Sequence, residues 1–173
     1  MRILSSVLGL LLVACATSTA NGQLAEQGLS MQSRVKFDRA TIFLVLTIRN
    51  DSKHDSWING KFSWETTSCR APSWEITLKL LDSRSRTLGS NCMFSRSPIR
   101  DGDYRRLKPG EEYSGEIQLD FCFSFEAGEK IKVRATYRDE NESPPKPPPG
   151  ATHWKGQISA MPVEFLVPVD FKP

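Results

Sequence analysis

The side chains able to do chemistry are few and far apart. Only two histidines occur, His54 in "NDSKHDSW" and His153 just after "PPKPPPG". Nucleophilic catalysis needs a base within hydrogen-bond reach of a serine or cysteine, itself oriented by a third group. Neither histidine stands in a GxSxG, HExxH or phosphate-loop pattern, so both read as solvated loop residues. The sequence therefore implies no enzyme and no cofactor. Cys69, Cys92 and Cys122 make no CxxC pair, and with two histidines they give no zinc-site spacing, so no metal is expected.

Those three thiols still have a use. In an oxidising compartment three cysteines form one disulfide and leave one thiol. Cys69 and Cys92 flank "WEITLKLLD", and a bridge between them closes a loop of about two dozen residues, worth roughly 3 kcal/mol in chain-entropy models. That pairing is narrowly favoured; Cys69–Cys122 and Cys92–Cys122 stay open. Alternation continued from Ile117 and Leu119 turns Phe121 and Phe123 inward and Cys122 outward. A register break before Gly128 would turn Cys122 inward instead.

Binding chemistry has two candidate carriers. Trp57 and Trp64 precede polar segments and could stack on sugars, although aromatic side chains are core fillers by default. Trp74 falls in register with Ile76 and Leu78, and reads as core. Arg84, Arg86, Arg96, Arg100, Arg105 and Arg106 crowd one loop-rich region, which suits an anionic polysaccharide, lipid headgroups or an acidic envelope protein. Asp82, Asp101 and Asp103 interrupt the run, and a self-neutralised solvated face is the competing reading. The candidate surface is thus Trp57, Trp64, Arg84, Arg86, Arg100 and Arg105. A formal net charge of +3 over 173 residues argues for no nucleic-acid partner.

The address comes from the first stretch, "MRILSSVLGLLLVAC". One basic residue, an apolar run from Ile3 to Val13 and then small residues give the order of a secretory signal peptide. The run is too short for a bilayer span, which takes about 20 apolar residues. Leu12-Val13-Ala14-Cys15 resembles the lipobox of bacterial lipoproteins. The resemblance implies cleavage before Cys15, a diacylglycerol on its thiol and anchorage in a membrane. Ordinary cleavage at Ala14-Cys15-Ala16 or Ser18-Thr19-Ala20 is the rival route. By the sorting rule of Gram-negative lipoproteins, Ala16 rather than Asp after the cysteine implies the outer membrane, facing the periplasm.

Elements must then position these residues. Residues 16–33 are small and polar and read as a tether. Beyond them the chain alternates with period two: Ile42, Leu44, Leu46 and Ile48; Trp74, Ile76, Leu78 and Leu80; Tyr113, Ile117 and Leu119; Ile131, Val133, Ala135 and Tyr137. One buried face and one wet face is the mark of antiparallel sheets. Lys108-Pro109-Gly110-Glu111 and Ala127-Gly128-Glu129 supply turns, and "PPKPPPG" supplies a stiff polyproline II loop. Seven to nine short strands at this spacing predict an all-β sandwich. The organisation expected is a signal peptide over 1–14, anchor and tether over 15–33, and one domain over 34–173.

"LKPGEEYSGEIQL", "FEAGEKIKVRATY" and "WKGQISAMPVEFLV" together resemble the later strands of bacterial extracytoplasmic immunoglobulin-like modules. The likeness covers roughly the last 70 residues and departs at Lys130-Ile131 and in the Pro-rich insert. It implies an immunoglobulin-like antiparallel sandwich, places Trp154 in the core, and transfers no catalytic residue. The function expected is non-catalytic binding or structural support at the envelope. The alternative is a protease-inhibitor-like module that presents loops to an enzyme cleft.

Overall fold

A computed structural model describes residues 28–62, 64–66, 75–90, 100–139, 141 and 143–171. Cys15, Cys69, Trp74, Cys92 and Arg96 lie outside the described residues, as does the side chain of Trp64. The fold is all-β, with eleven strands among the described residues: β1 (Leu29–Asp38), β2 (Thr41–Asn50), β3 (Asp55–Asn59), β4 (Trp64–Thr66), β5 (Ile76–Leu81), β6 (Tyr104–Leu107), β7 (Glu112–Gln118), β8 (Lys130–Asp139), β9 (Ala151–His153), β10 (Gly156–Ser159) and β11 (Val163–Leu166). A single 3-10 turn, Asp101–Asp103, is the only helical piece among them. No helix among the described residues is long and apolar enough to cross a membrane.

Three sheets share one core. The first is β1–β2–β7, antiparallel throughout; the second runs β10–β8–β5–β4, with β11 also on β8; the third is β6–β3–β9. Period-two alternation explains the first two: Ile42, Leu44, Leu46 and Ile48 on β2 are buried together with Ile117, and Ile76, Leu78 and Leu80 on β5 with Ile131, Val133, Ala135 and Tyr137 on β8. Because these inward faces fall in a single cluster with Ile58 and Leu107 of the third sheet, all three sheets bury the same core. Gly110 and Gly128 both take φ 77°, a left-handed conformation that only glycine adopts without strain, which makes the two expected turns possible. Gly115 on β7 is needed for a different reason: a Cβ there would lie 2.3 Å from the ring of Phe62, which packs edge-on to Tyr113 and Tyr137.

Several expectations need correction. β1 starts at Leu29, ahead of the boundary placed at 34, because Leu29 and Met31 pair with Asn50 and Ile48 and are buried. Not every pairing is antiparallel, since β3 runs parallel to β9 and β4 parallel to β5. Glu75, a charged residue out of step with the apolar row Ile76, Leu78 and Leu80, is nonetheless buried and accepts a hydrogen bond from Asn59 Nδ2 at 3.0 Å. The register also breaks after β7. Cys122 and Phe123 both donate their main-chain N–H to Leu119 O, at 3.1 and 3.0 Å, which winds the chain into a turn. Phe121 is consequently 74% exposed, while Cys122 and Phe123 are buried. Cys122 turns inward, as the register-break alternative required.

This turn makes a sharp prediction. Phe123→Ala should cost about 3–5 kcal/mol of unfolding free energy in urea titrations, because it empties a core site. Phe121→Ala should cost less than about 1 kcal/mol, the range of surface changes. Similar losses for the two would contradict the register break.

Candidate functional site

The described members of the expected surface are spread over separate places in the fold. Arg84 and Arg86 sit in the turn after β5, where Leu81 pairs with Lys132 near the start of β8. Trp57 and Arg105 lie on β3 and β6, next to the other end of β8 at Asp139. From Lys132 to Asp139 is roughly 20 Å at about 3.3 Å per strand residue. The arginine turn is also partly self-neutralised: Arg86 Nε donates to Asp82 Oδ2 at 2.6 Å, and the main-chain N–H groups of Arg84 and Arg86 donate to Oδ1. The Arg86 N–H bond, with the guanidinium beside it, holds the Asp82 carboxyl below the usual carboxylate range despite its desolvation. Arg100 is exposed, and its N–H donates to Asp103 Oδ2. Trp57 is half-buried and stacks on Tyr104, with ring centroids 5.8 Å apart.

What the fold assembles instead is a polar cluster around Asp139. The alternation Ile131, Val133, Ala135, Tyr137 runs one step further, so β8 ends with a carboxylate on its buried face. Asp139 is 2% exposed. It accepts hydrogen bonds from the N–H of Asn59 at 3.3 Å, the N–H of Asn141 at 3.3 Å and the hydroxyl of Tyr104 at 3.4 Å. His153 Nε2 stands 3.2 Å from its Oδ2. Asn141 Nδ2 donates to Tyr104, and the Tyr137 hydroxyl donates to Asn59 O at 3.0 Å. Asn59 reaches Glu75 as well. Burial pushes the Tyr104 hydroxyl up to about 12, and pushes Tyr137 well above the ordinary tyrosine range; the nearby Asp139 and Glu75 charges add to both.

Beside this cluster both histidines line one cleft. The parallel register sets Ser56 opposite Thr152 and Trp57 opposite His153, and Trp154 N–H then donates to Trp57 O at 3.0 Å. An open cleft of about 330 Å³ results, lined by Ser52, His54, Asp55, Ser56, Thr152, His153, Trp154 and Lys155. Its floor is firm. Trp154 is buried and stacks on Tyr137 at 5.5 Å, as its expected core position required. Ser52 is tied locally: its hydroxyl contacts Asn50 Oδ1 at 2.7 Å and His54 O at 2.7 Å. Asn50, fully buried at the inward end of β2, donates to His54 O and Leu107 O and so fixes this turn. Asp55 pairs with Arg106.

Neither histidine was expected here, because only the β3–β9 pairing joins residues so distant in sequence. The signal that could have exposed the cluster was present, however: a polar residue in step with a buried strand face, at both Asn50 and Asp139. Among the described residues no group of three His, Cys, Asp or Glu side chains could hold a metal ion. No protein-family model and no curated protein matches this chain.

The raised tyrosines give this cluster a pH signature. A hydroxyl whose folded pKa of about 12 exceeds the unfolded 10 stabilises the fold fully below pH 10 and loses that contribution as pH rises towards 12. Urea stability should therefore fall between pH 10 and 12, and Tyr104→Phe should fall less steeply. An equal slope in the variant would contradict the assignment.

Proposed function

We propose that this chain is an envelope lipoprotein, anchored through acylated Cys15, whose immunoglobulin-like β-sandwich acts by binding rather than catalysis. The observation that carries this reading is the cleft between residues 52–56 and 152–155. Its volume lies at the lower end of the range for small-ligand sites, about 300–1,000 Å³. Its walls are held by main-chain pairing and by the buried Asn50 and Trp154, so the site is formed before any ligand arrives. The Ser52 hydroxyl, two residues from His54, is committed to the turn rather than to an imidazole, which supports recognition as the use of the cleft.

The sandwich reading draws on the shared core of the first two sheets; the third sheet would then be an addition to it. Disulfide bonding at Cys122 supports an oxidising address such as the periplasm. Its partner lies outside the described residues, and with Cys122 engaged we favour Cys69–Cys122 or Cys92–Cys122 over Cys69–Cys92. The protease-inhibitor-like alternative has no comparable observation behind it.

One experiment tests both halves. The mature protein is purified from solubilised envelope, its N-terminus is read by mass spectrometry, and envelope components retained by it are compared with those retained by Thr152→Trp, which fills the cleft. The mature chain should begin at an acylated Cys15, and Thr152→Trp should lower recovery of the bound component by about fivefold or more, a change of about 1 kcal/mol. An unlipidated start at Thr17 or Asn21 would contradict the anchor. Equal recovery by the variant would contradict the cleft.

A further inference from the structure

The structure assigns to this cleft a tetrahedral anion, the phosphate of a phosphoester, and the assignment rests on the cleft being the binding site proposed above. Ser56 is the first reason. It is 7% exposed, it lines the cleft, and its hydroxyl meets no hydrogen-bond partner among the described residues. That hydroxyl opens onto the cleft and can donate to an acceptor oxygen there. Thr152, opposite it in register, offers a second hydroxyl to the same space.

Charge is the second reason. Lys155 lines the cleft and makes no ion pair among the described residues. His54 lines it too, and the exposed Lys53 adjoins it. The carboxylates that face these groups are already answered: Asp55 by Arg106, Asp51 by Arg49, and the buried Asp139 by its donors and His153. Lys155 and Lys53 are therefore cations at the cleft without a carboxylate partner among the described residues. Its donors converge from two separate chain segments as point-like groups, without the planar guanidinium fork that matches a carboxylate. That arrangement suits an oxyanion that accepts hydrogen bonds in several directions.

Position is the third. Gly28 O accepts the N–H of Asp51 at 2.8 Å and of Ser52 at 3.1 Å, and a Cβ on Gly28 would stand 2.7 Å from that of Ser52. The chain thus enters the domain at the rim of the cleft. Cys15 and Gly28 can be no more than about 45 Å apart at about 3.5 Å per residue. A lipid on Cys15 keeps the cleft close to a surface of phosphate-bearing headgroups.

Calorimetric titration of the detergent-solubilised mature chain with glycerol 3-phosphate tests this, with acetate and glycerol as planar-anion and neutral controls. Saturable one-site binding is expected, about tenfold or more weaker for acetate and absent for glycerol. Lys155→Gln and Ser56→Ala should each weaken it about fivefold or more, the loss of one hydrogen bond to a charged group, with melting unchanged. Flotation of the Cys15→Ala chain with phosphatidylglycerol or phosphatidylcholine vesicles separates the sources. A phosphatidylglycerol preference abolished by Lys155→Gln assigns a lipid headgroup, and glycerol 3-phosphate binding without vesicle preference assigns a soluble phosphoester. Equal affinity for acetate, no binding of either probe, or binding that both substitutions leave unchanged overturns the phosphate. If Thr152→Trp still abolishes partner recovery in that case, the cleft remains a binding site for another chemistry.

Discussion

A carboxylate at the buried end of β8 sets the arrangement of everything around it. Moving an ion out of water costs several kcal/mol even after the protein relaxes, unless partners replace the lost hydration. Asp139 finds those partners on three different strands and one loop: Asn59 on β3, Tyr104 at the start of β6, His153 on β9, and Asn141. The third sheet therefore cannot slide along the second without uncovering the charge. Tyr137, two residues earlier on the same face, adds a hydrogen bond to Asn59 O and a stacked ring against Trp154. Polar and aromatic contacts thus aim the small sheet, while the apolar cluster supplies the bulk of the burial.

The cleft follows from that aim. With β9 held parallel to β3 and His153 on Asp139, the cleft lies along two segments, residues 52–56 and residues 152–155. Asn50 fixes the first of them and Trp154 the second. The chain's arrival at Gly28 is bound to the same turn, so the chain enters the domain beside the cleft.

Much of the fold was legible because period-two alternation is local. β2, β5, β7 and β8 could be read residue by residue, and the turns at Gly110 and Gly128 announced themselves by glycine type. β1 was hidden because Ser33 interrupts its apolar row and its hairpin turns at Arg39-Ala40. There Arg39 takes φ 55° where sequence reasoning looks for Asn or Gly. The parallel pairings β3–β9 and β4–β5 were not legible, since no local pattern encodes which distant strand a short segment will join. The site was harder still. Trp57 and the arginines were singled out by residue type alone, whereas position decided their use. Asp139 and Asn50 were readable in principle, as polar residues in step with a buried face, but alternation was followed only through its apolar members.

Hydrogen exchange on Asp139→Ala tests the central claim most directly. If this carboxylate holds the third sheet to the second, amides of β3, β6 and β9 should lose protection by about tenfold or more, while those of β2 and of the Ile131–Ala135 part of β8 keep most of theirs, because the sheet opens as a local unit. Uniform loss of protection across all three sheets, or unchanged protection in β3 and β9, would contradict the account.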